Sequence, residues 1–221
     1  MSGNPHPHPG LPPAGPSEGV GMGGGMGGGY VAGTLVHTST GLVPIQDVQV
    51  GDLVQARPHV TSEKAFRRVI GRSVRADRTI EKLTFVSDDD SLSEHHVYVN
   101  GNQPFWVVDA GWTRARQLRL EAIVRLADGS QAELLARSPV WRTDSPNVGW
   151  ARDPFEEAGR DIDFTSMEVV GERGFDEVLL ANEAASPYFR GTVFGLEIEE
   201  LHAFHVTRLG VWVHDMDCGA R

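Results

Sequence analysis

From Tyr30 onward the chain is a succession of short apolar runs cut by turn residues. Residues 83–85, 97–99, 105–108, 123–126, 178–180, 193–198, 204–206 and 211–213 are rich in β-branched and aromatic side chains, which fit a pleated, half-buried surface. Asn100-Gly101, Asp128-Gly129 and Leu209-Gly210 supply turn chemistry between them. The pattern predicts an all-β domain of many short strands.

Two stretches break this rhythm. Residues 1–28 carry Pro5, Pro7, Pro9, Pro12 and Pro13, then a glycine tract around Met22 and Met26. Such a composition buries too little apolar surface to offset the entropy of ordering, so a disordered leader is expected. His6 and His8 within it have no fixed partners with which to hold a metal. Residues 137–190 are the opposite case. They hold Trp141, Trp150, Phe155, Phe164, Phe175, Tyr188 and Phe189, seven of the seventeen aromatic residues, and a floppy linker is not so aromatic. Asp153, Pro154 and Glu156 also form a helix-start signature, with an Asp cap, a first-turn proline and an acid at the third position. The stretch reads as an ordered insertion extending the core, with an aromatic surface for a peptide or ligand as the alternative.

Bulk properties narrow the function classes. A chain of 221 residues that is 40% hydrophobic is long enough for a sizeable core in one domain. The net charge of −10 argues against nucleic acid or an anionic membrane as partner. No apolar run approaches the roughly 18 residues of a membrane helix, and the start lacks the features of a signal peptide. A cytoplasmic monomer, or a protein secreted by a route other than Sec, is expected. Cys218 is the single cysteine, so no intrachain disulfide is possible. No phosphate loop, dinucleotide fingerprint or HExxH motif is present, and no cofactor is expected. His202, His205, His214 and Cys218 are metal-ligand types. His202 and His205, however, point to opposite faces of a predicted strand, and no metal site is expected.

Three segments carry a family likeness. Gly29-Tyr30-Val31-Ala32-Gly33-Thr34-Leu35-Val36-His37-Thr38, Asn100-Gly101-Asn102-Gln103-Pro104-Phe105-Trp106-Val107 and Gly210-Val211-Trp212-Val213-His214-Asp215 together resemble the Hint superfamily. That superfamily includes inteins, hedgehog autoprocessing domains and the pre-toxin Hint modules of bacterial polymorphic toxins. The likeness spans residues 29–215 and implies a horseshoe-like all-β fold, in which residues 42–50 cross the sheet as an irregular connection.

The resemblance also implies three reactive centres, each altered here. Where the family has the cysteine that attacks the preceding carbonyl stands Gly29, which has no nucleophile; Tyr30 beside it is expected to pack in the first strand. Where the family has Thr-x-x-His ahead of a Pro-Phe-Trp strand stand Asn100 and Gln103, and glutamine cannot deliver a proton. A rival placement uses Ser93, Glu94, His95 and His96, seven residues out of register with Pro104. The family's terminal His-Asn is His214-Asp215, and His202 matches the other histidine that many Hint domains place near that bond. Asp215 has no amide nitrogen to form a succinimide; attack through carboxylate oxygen, giving a cyclic anhydride, is the route left.

The expectation is a Hint domain that has lost splicing and is kept as a structural or protein-interaction module, with a toxin or secretion component as partner. With a low-complexity leader before the domain and residues 216–221 after it as a tail, either an excised fragment or a free-standing module is expected, and the three altered reactive groups agree better with the second. Slow self-cleavage at Asp215-Met216, helped by His214 and His202, is one alternative. Peptide or ligand binding by the aromatic insertion is the other.

Overall fold

A computed structural model describes residues 27–57, 65–87, 93–181 and 186–215. The expected leader up to residue 26, with His6 and His8, and the tail 216–221, with Cys218, lie outside the described residues. In chain order the strands are β1 (Leu35–Thr38), β2 (Gly41–Pro44), β3 (Leu53–Ala56), the long β4 (Ala65–Ser87), β5 (Glu94–Asn100), β6 (Pro104–Val107), β7 (Gly111–Arg114) and β8 (Ile123–Arg125). They continue through β9 (Gln131–Arg142), β10 (Val148–Arg152), β11 (Ala158–Asp163) and β12 (Glu168–Gly174). A short helix α1 (Phe175–Ala181) precedes β13 (Arg190–Ile198), β14 (Ala203–Val206) and β15 (Val211–His214). The pairings are antiparallel and join into one sheet running β12-β11-β10-β9-β8-β6-β15-β14-β1-β3-β4-β13, with β2, β5 and β7 paired beside it.

Strand β4 organises this sheet because its sequence changes character along its length. Its first half alternates, leaving Phe66, Arg68, Ile70, Arg72 and Val74 exposed on one face, and pairs with β3 and then β13. Its last third is nearly continuously buried and pairs with β5 on one side and β9 on the other. Of the residues buried there, Lys82, Thr84 and Ser87 are polar. Leu83 and Phe85 face the larger core with Val36, Phe105, Val124 and Phe204. Ile80 faces a second core with Tyr98, Val140, Phe164 and Phe189. That second core is where the stretch 137–190, read as an insertion, closes over the sheet through Val140, Ala151, Ile162, Phe164 and Phe189. Tyr30 is buried in the larger core, its ring edge-on to Phe204 at 6.4 Å.

Three local expectations are corrected. Residues 178–180 lie in α1, not in a strand; three apolar residues cannot distinguish the two, and Asp176 and Glu177 suit a helix first turn. Asp153 starts no helix. Its carboxylate is taken by Lys82 and Arg160, and Phe155 adopts a left-handed φ of 64°, so residues 153–157 turn back into β11. Residues 42–44 are not irregular: they belong to β2, in a hairpin with β1, and only the remainder up to Val50 is irregular.

Candidate functional site

Tyr30 fixes the entry of the folded chain. It exchanges backbone hydrogen bonds with Phe194 of β13, Tyr30 N to Phe194 O at 2.9 Å and Phe194 N to Tyr30 O at 2.7 Å. This lays Gly28 and Gly29 against the turn that joins β5 to β6, where Asn100 N donates to Gly29 O at 2.9 Å. Neither position has room for a side chain. A Cβ on Gly28 would sit 2.4 Å from Gln103 Cα and 2.6 Å from Gln103 Oε1. One on Gly29, whose φ is +150°, would sit 2.8 Å from Val193 Cγ2 and 3.0 Å from Phe194 O. The missing nucleophile at Gly29 is thus matched by a backbone path that has closed around glycine.

Gln103 links this entry to the exit of the domain. It is 1% exposed, and its Nε2 donates to His214 O at 2.8 Å and to Pro104 O at 3.3 Å. Its Oε1 is buried beside Gly28, where no donor among the described residues reaches it. Asn100 is structural in its contacts: Nδ2 donates to Thr79 O, and Oδ1 accepts from Asn102 N, closing the turn. An amide at each of these positions holds backbone in place and carries no transferable proton.

The exit is built by the β14–β15 hairpin, whose pairing sets His202 opposite Asp215; Asp215 N donates to His202 O at 2.8 Å. The Asp215 carboxylate is wholly buried. Its Oδ2 accepts from Ile198 N at 2.9 Å and lies 3.1 Å from His202 Nδ1. His214 Nδ1 lies 2.9 Å from Asp215 O, the carbonyl of the bond to Met216, and 3.3 Å from Asp215 Oδ1. A carbonyl oxygen only accepts, so this contact puts the proton on Nδ1; among the described residues no hydrogen bond reaches Oδ1. The imidazole of His214 packs edge-to-face on Trp112 at 4.9 Å and runs parallel to that of His202, with centroids 6.4 Å apart. The two histidines differ in access: the His202 side chain is 40% exposed and that of His214 9%.

Gly29, Asn100, Gln103, His202, His214 and Asp215 are therefore gathered at one place, although Gly29 and Asp215 lie 186 residues apart in the sequence. The rival residues are not. His95 and His96 sit at the far end of β5, where His96 Nδ1 meets Thr84 Oγ1 at 3.2 Å. His205 leaves the cluster too, its Nδ1 lying 3.1 Å from Gln55 O. Sequence reasoning missed Trp112, the wall behind His214, and the Ile198 N–H that holds Asp215. A tryptophan at the start of a short strand gives no signal, and a main-chain donor gives none at all. Most insertion aromatics are packed, with Trp150 and Phe189 buried and Phe155 fully out in solvent. An open groove of about 460 Å³ between Phe164, Phe189 and Phe194 is what remains of a concave aromatic face.

No family model matches the chain, and no curated protein does. Solved structures do. A bacterial intein-like domain from Clostridium thermocellum is 21% identical and superposes with a TM-score of 0.57 over 86% of this chain and 99% of that one. The Ssp DnaB mini-intein variant M86 gives 13% identity and a TM-score of 0.56 over 88% and 98%. A Synechocystis DnaB intein gives 15% and 0.52 over 85% and 98%. The chain has the Hint fold. Within the Hint fold, the three segments that resemble Hint sequences are the ones that meet at Gly28–Gly29, Gln103 and His214–Asp215.

Proposed function

We propose that this Hint domain does not splice, and that the chemistry it retains is cleavage of its own Asp215-Met216 bond. The carrying observation is the hydrogen bond from His214 Nδ1 to Asp215 O at 2.9 Å, made beside a buried carboxylate and a second imidazole. A donor aimed at the carbonyl oxygen stabilises the negative charge that develops there as the bond is attacked. The other half of splicing has no support: Gly29 offers no nucleophile, and the space beside it is filled by Val193 and the Phe194 carbonyl. Prolonged incubation of the purified chain followed by intact mass measurement tests this reading. The expected product ends at Asp215, and it is absent from the Asp215→Ala variant; an unchanged mass, or equal loss in both proteins, sinks the idea.

A second reading, a protein-interaction module, is favoured by the outer face of β4. Phe66, Ile70 and Val74 are 46%, 44% and 62% exposed there, interleaved with Arg68 and Arg72. Scattered apolar side chains are ordinary on a surface, but a row along one strand is a feature of docking faces.

A further inference from the structure

We infer that the outer face of β4 is a docking surface for an acidic segment of another protein, one that alternates carboxylates with apolar side chains. This rests on the interaction-module reading above and names the chemistry of the partner. In a strand every second residue shares a face, so Phe66, Arg68, Ile70, Arg72 and Val74 form one outward row, apolar and cationic in turn at intervals of about 7 Å. Val50 and Leu53 widen it: Leu53 is paired with Arg68, and Gly51 N donates to Val69 O at 2.8 Å, which brings Val50 to the margin of the row. Five of the eleven large apolar side chains exposed among the described residues thus lie together, where chance scatter would spread them over the surface.

The cations of the row meet only neutral groups. Arg68 Nη1 donates to Gly51 O at 3.2 Å, while Arg72 donates from Nη1 to Gln49 Oε1 at 3.1 Å and from Nη2 to Gln46 O at 2.6 Å. Among the described residues no carboxylate pairs with either guanidinium. Neighbouring arginines differ: Arg67, on the opposite face of β4, is paired with Glu200 at 3.0 Å, and Arg190 with Asp77 at 2.6 Å. The bonds to residues 46–51 hold Arg68 and Arg72 in place without compensating their charge. A guanidinium has five N–H donors, so each retains donors for a carboxylate. The row also selects against a second copy of the chain. A two-fold axis through Ile70 would set Arg68 of one copy against Arg72 of the other, and like charges brought together across an interface suppress that pairing. A phosphate polymer would satisfy the arginines and leave Phe66, Ile70 and Val74 uncovered.

Selection of random phage-displayed peptides on the purified full chain tests this, with the double variant Ile70→Ser, Val74→Ser as counter-target. The expected peptides carry Asp or Glu alternating with apolar residues. A synthetic copy of the most enriched one, followed by fluorescence anisotropy, should bind at least ~10-fold more weakly to the double variant Arg68→Gln, Arg72→Gln, and more weakly to the parent as salt is added. Thermal unfolding verifies that the variants are folded, and Arg68→Gln alone, which spares the contacts of Arg72, should already weaken binding. Enriched peptides that are neutral or basic, or whose binding ignores Arg68 and Arg72, overturn the acidic partner while leaving a docking face standing. Peptides that bind the counter-target as well as the parent, or the absence of any that prefer the parent, overturn the docking face itself. Self-association of the parent that is lost in Ile70→Ser, measured by analytical ultracentrifugation, makes the occupant a second copy and overturns the assignment of another protein.

Discussion

Lys82 and Asp153 clamp the insertion to the sheet, and the two halves of this pair should respond unequally to mutation. Lys82 is 3% exposed and Asp153 18%, with Nζ donating to Asp153 Oδ1 at 3.2 Å and to Arg152 O at 3.0 Å. Asp153 has a second partner, Arg160 Nε at 3.2 Å. Removing one partner of a buried pair costs about 3–5 kcal/mol, because the other charge is left uncompensated. Asp153 borders solvent and Lys82 keeps the Arg152 carbonyl, so Asp153→Ala belongs at the low end, about 3 kcal/mol. At roughly 2–4 °C per kcal/mol for a domain of this size, the Tm should fall by about 6–12 °C. Lys82→Met keeps the apolar stem and leaves Asp153 with Arg160, so its loss should be about 1 kcal/mol.

Alkaline pH provides an internal control. Burial holds the Lys82 pKa below the usual lysine value, offset only in part by Asp153. With the folded value depressed, the unfolded chain binds the proton more tightly, so stability rises with pH up to the ordinary lysine value. The Asp153→Ala deficit should therefore shrink as pH is raised from neutral towards about 10. Reversible thermal or guanidinium unfolding of the two variants measures this. An Asp153→Ala loss under about 1 kcal/mol, or a Lys82→Met loss as large as that of Asp153→Ala, would refute the reasoning.

Two further outcomes are expected. Burial, and then the charge of Lys82, hold His96 at about 4; Glu94, 3.8 Å away, is beyond hydrogen-bond reach. Because this lies below the ordinary 6.5, stability present above that pH is lost as pH falls through about 4. With the side chain 30% exposed, the loss should be about 1–2 kcal/mol, less than the shift alone implies. His96→Gln should flatten the stability–pH curve in that window, measured by chemical unfolding. At the entry, Gly29→Cys alone should give no thiol-induced cleavage before residue 29. Adding Asn100→Thr, Gln103→His and Val193→Ala, the last to clear the 2.8 Å contact, should restore it; mass spectrometry after thiol treatment reads both.

How much was legible in the sequence depended on whether a feature was local. The glycines and turns of the matched segments, and runs such as residues 193–198 and 211–213, are local, and they place β13 and β15. The meeting of Gln103 with His214 O was not legible, since side-chain identity does not say which backbone atom it will find. Asp153 carried a strong local helix signal that a long-range partner overrode: the carboxylate that would cap a helix is bonded to Lys82, seventy-one residues away. Lys82 follows Glu81 at the head of the run 83–85, and nothing local marks it as a residue to be buried against an acid. The hydrogen bond from Ile198 N to Asp215 Oδ2 joins the end of β13 to the end of β15, a meeting that no periodicity encodes.

The central claim is that chemistry survives only at the exit of the domain. It is tested most directly by fusing a reporter protein after Arg221 and following its release, with amino-terminal sequencing of the released part. The account predicts slow release of a product beginning at Met216, abolished in Asp215→Ala, with no cleavage before residue 29. A fusion that stays intact under these conditions, or one that is cut elsewhere at the same rate in the variant, would contradict it.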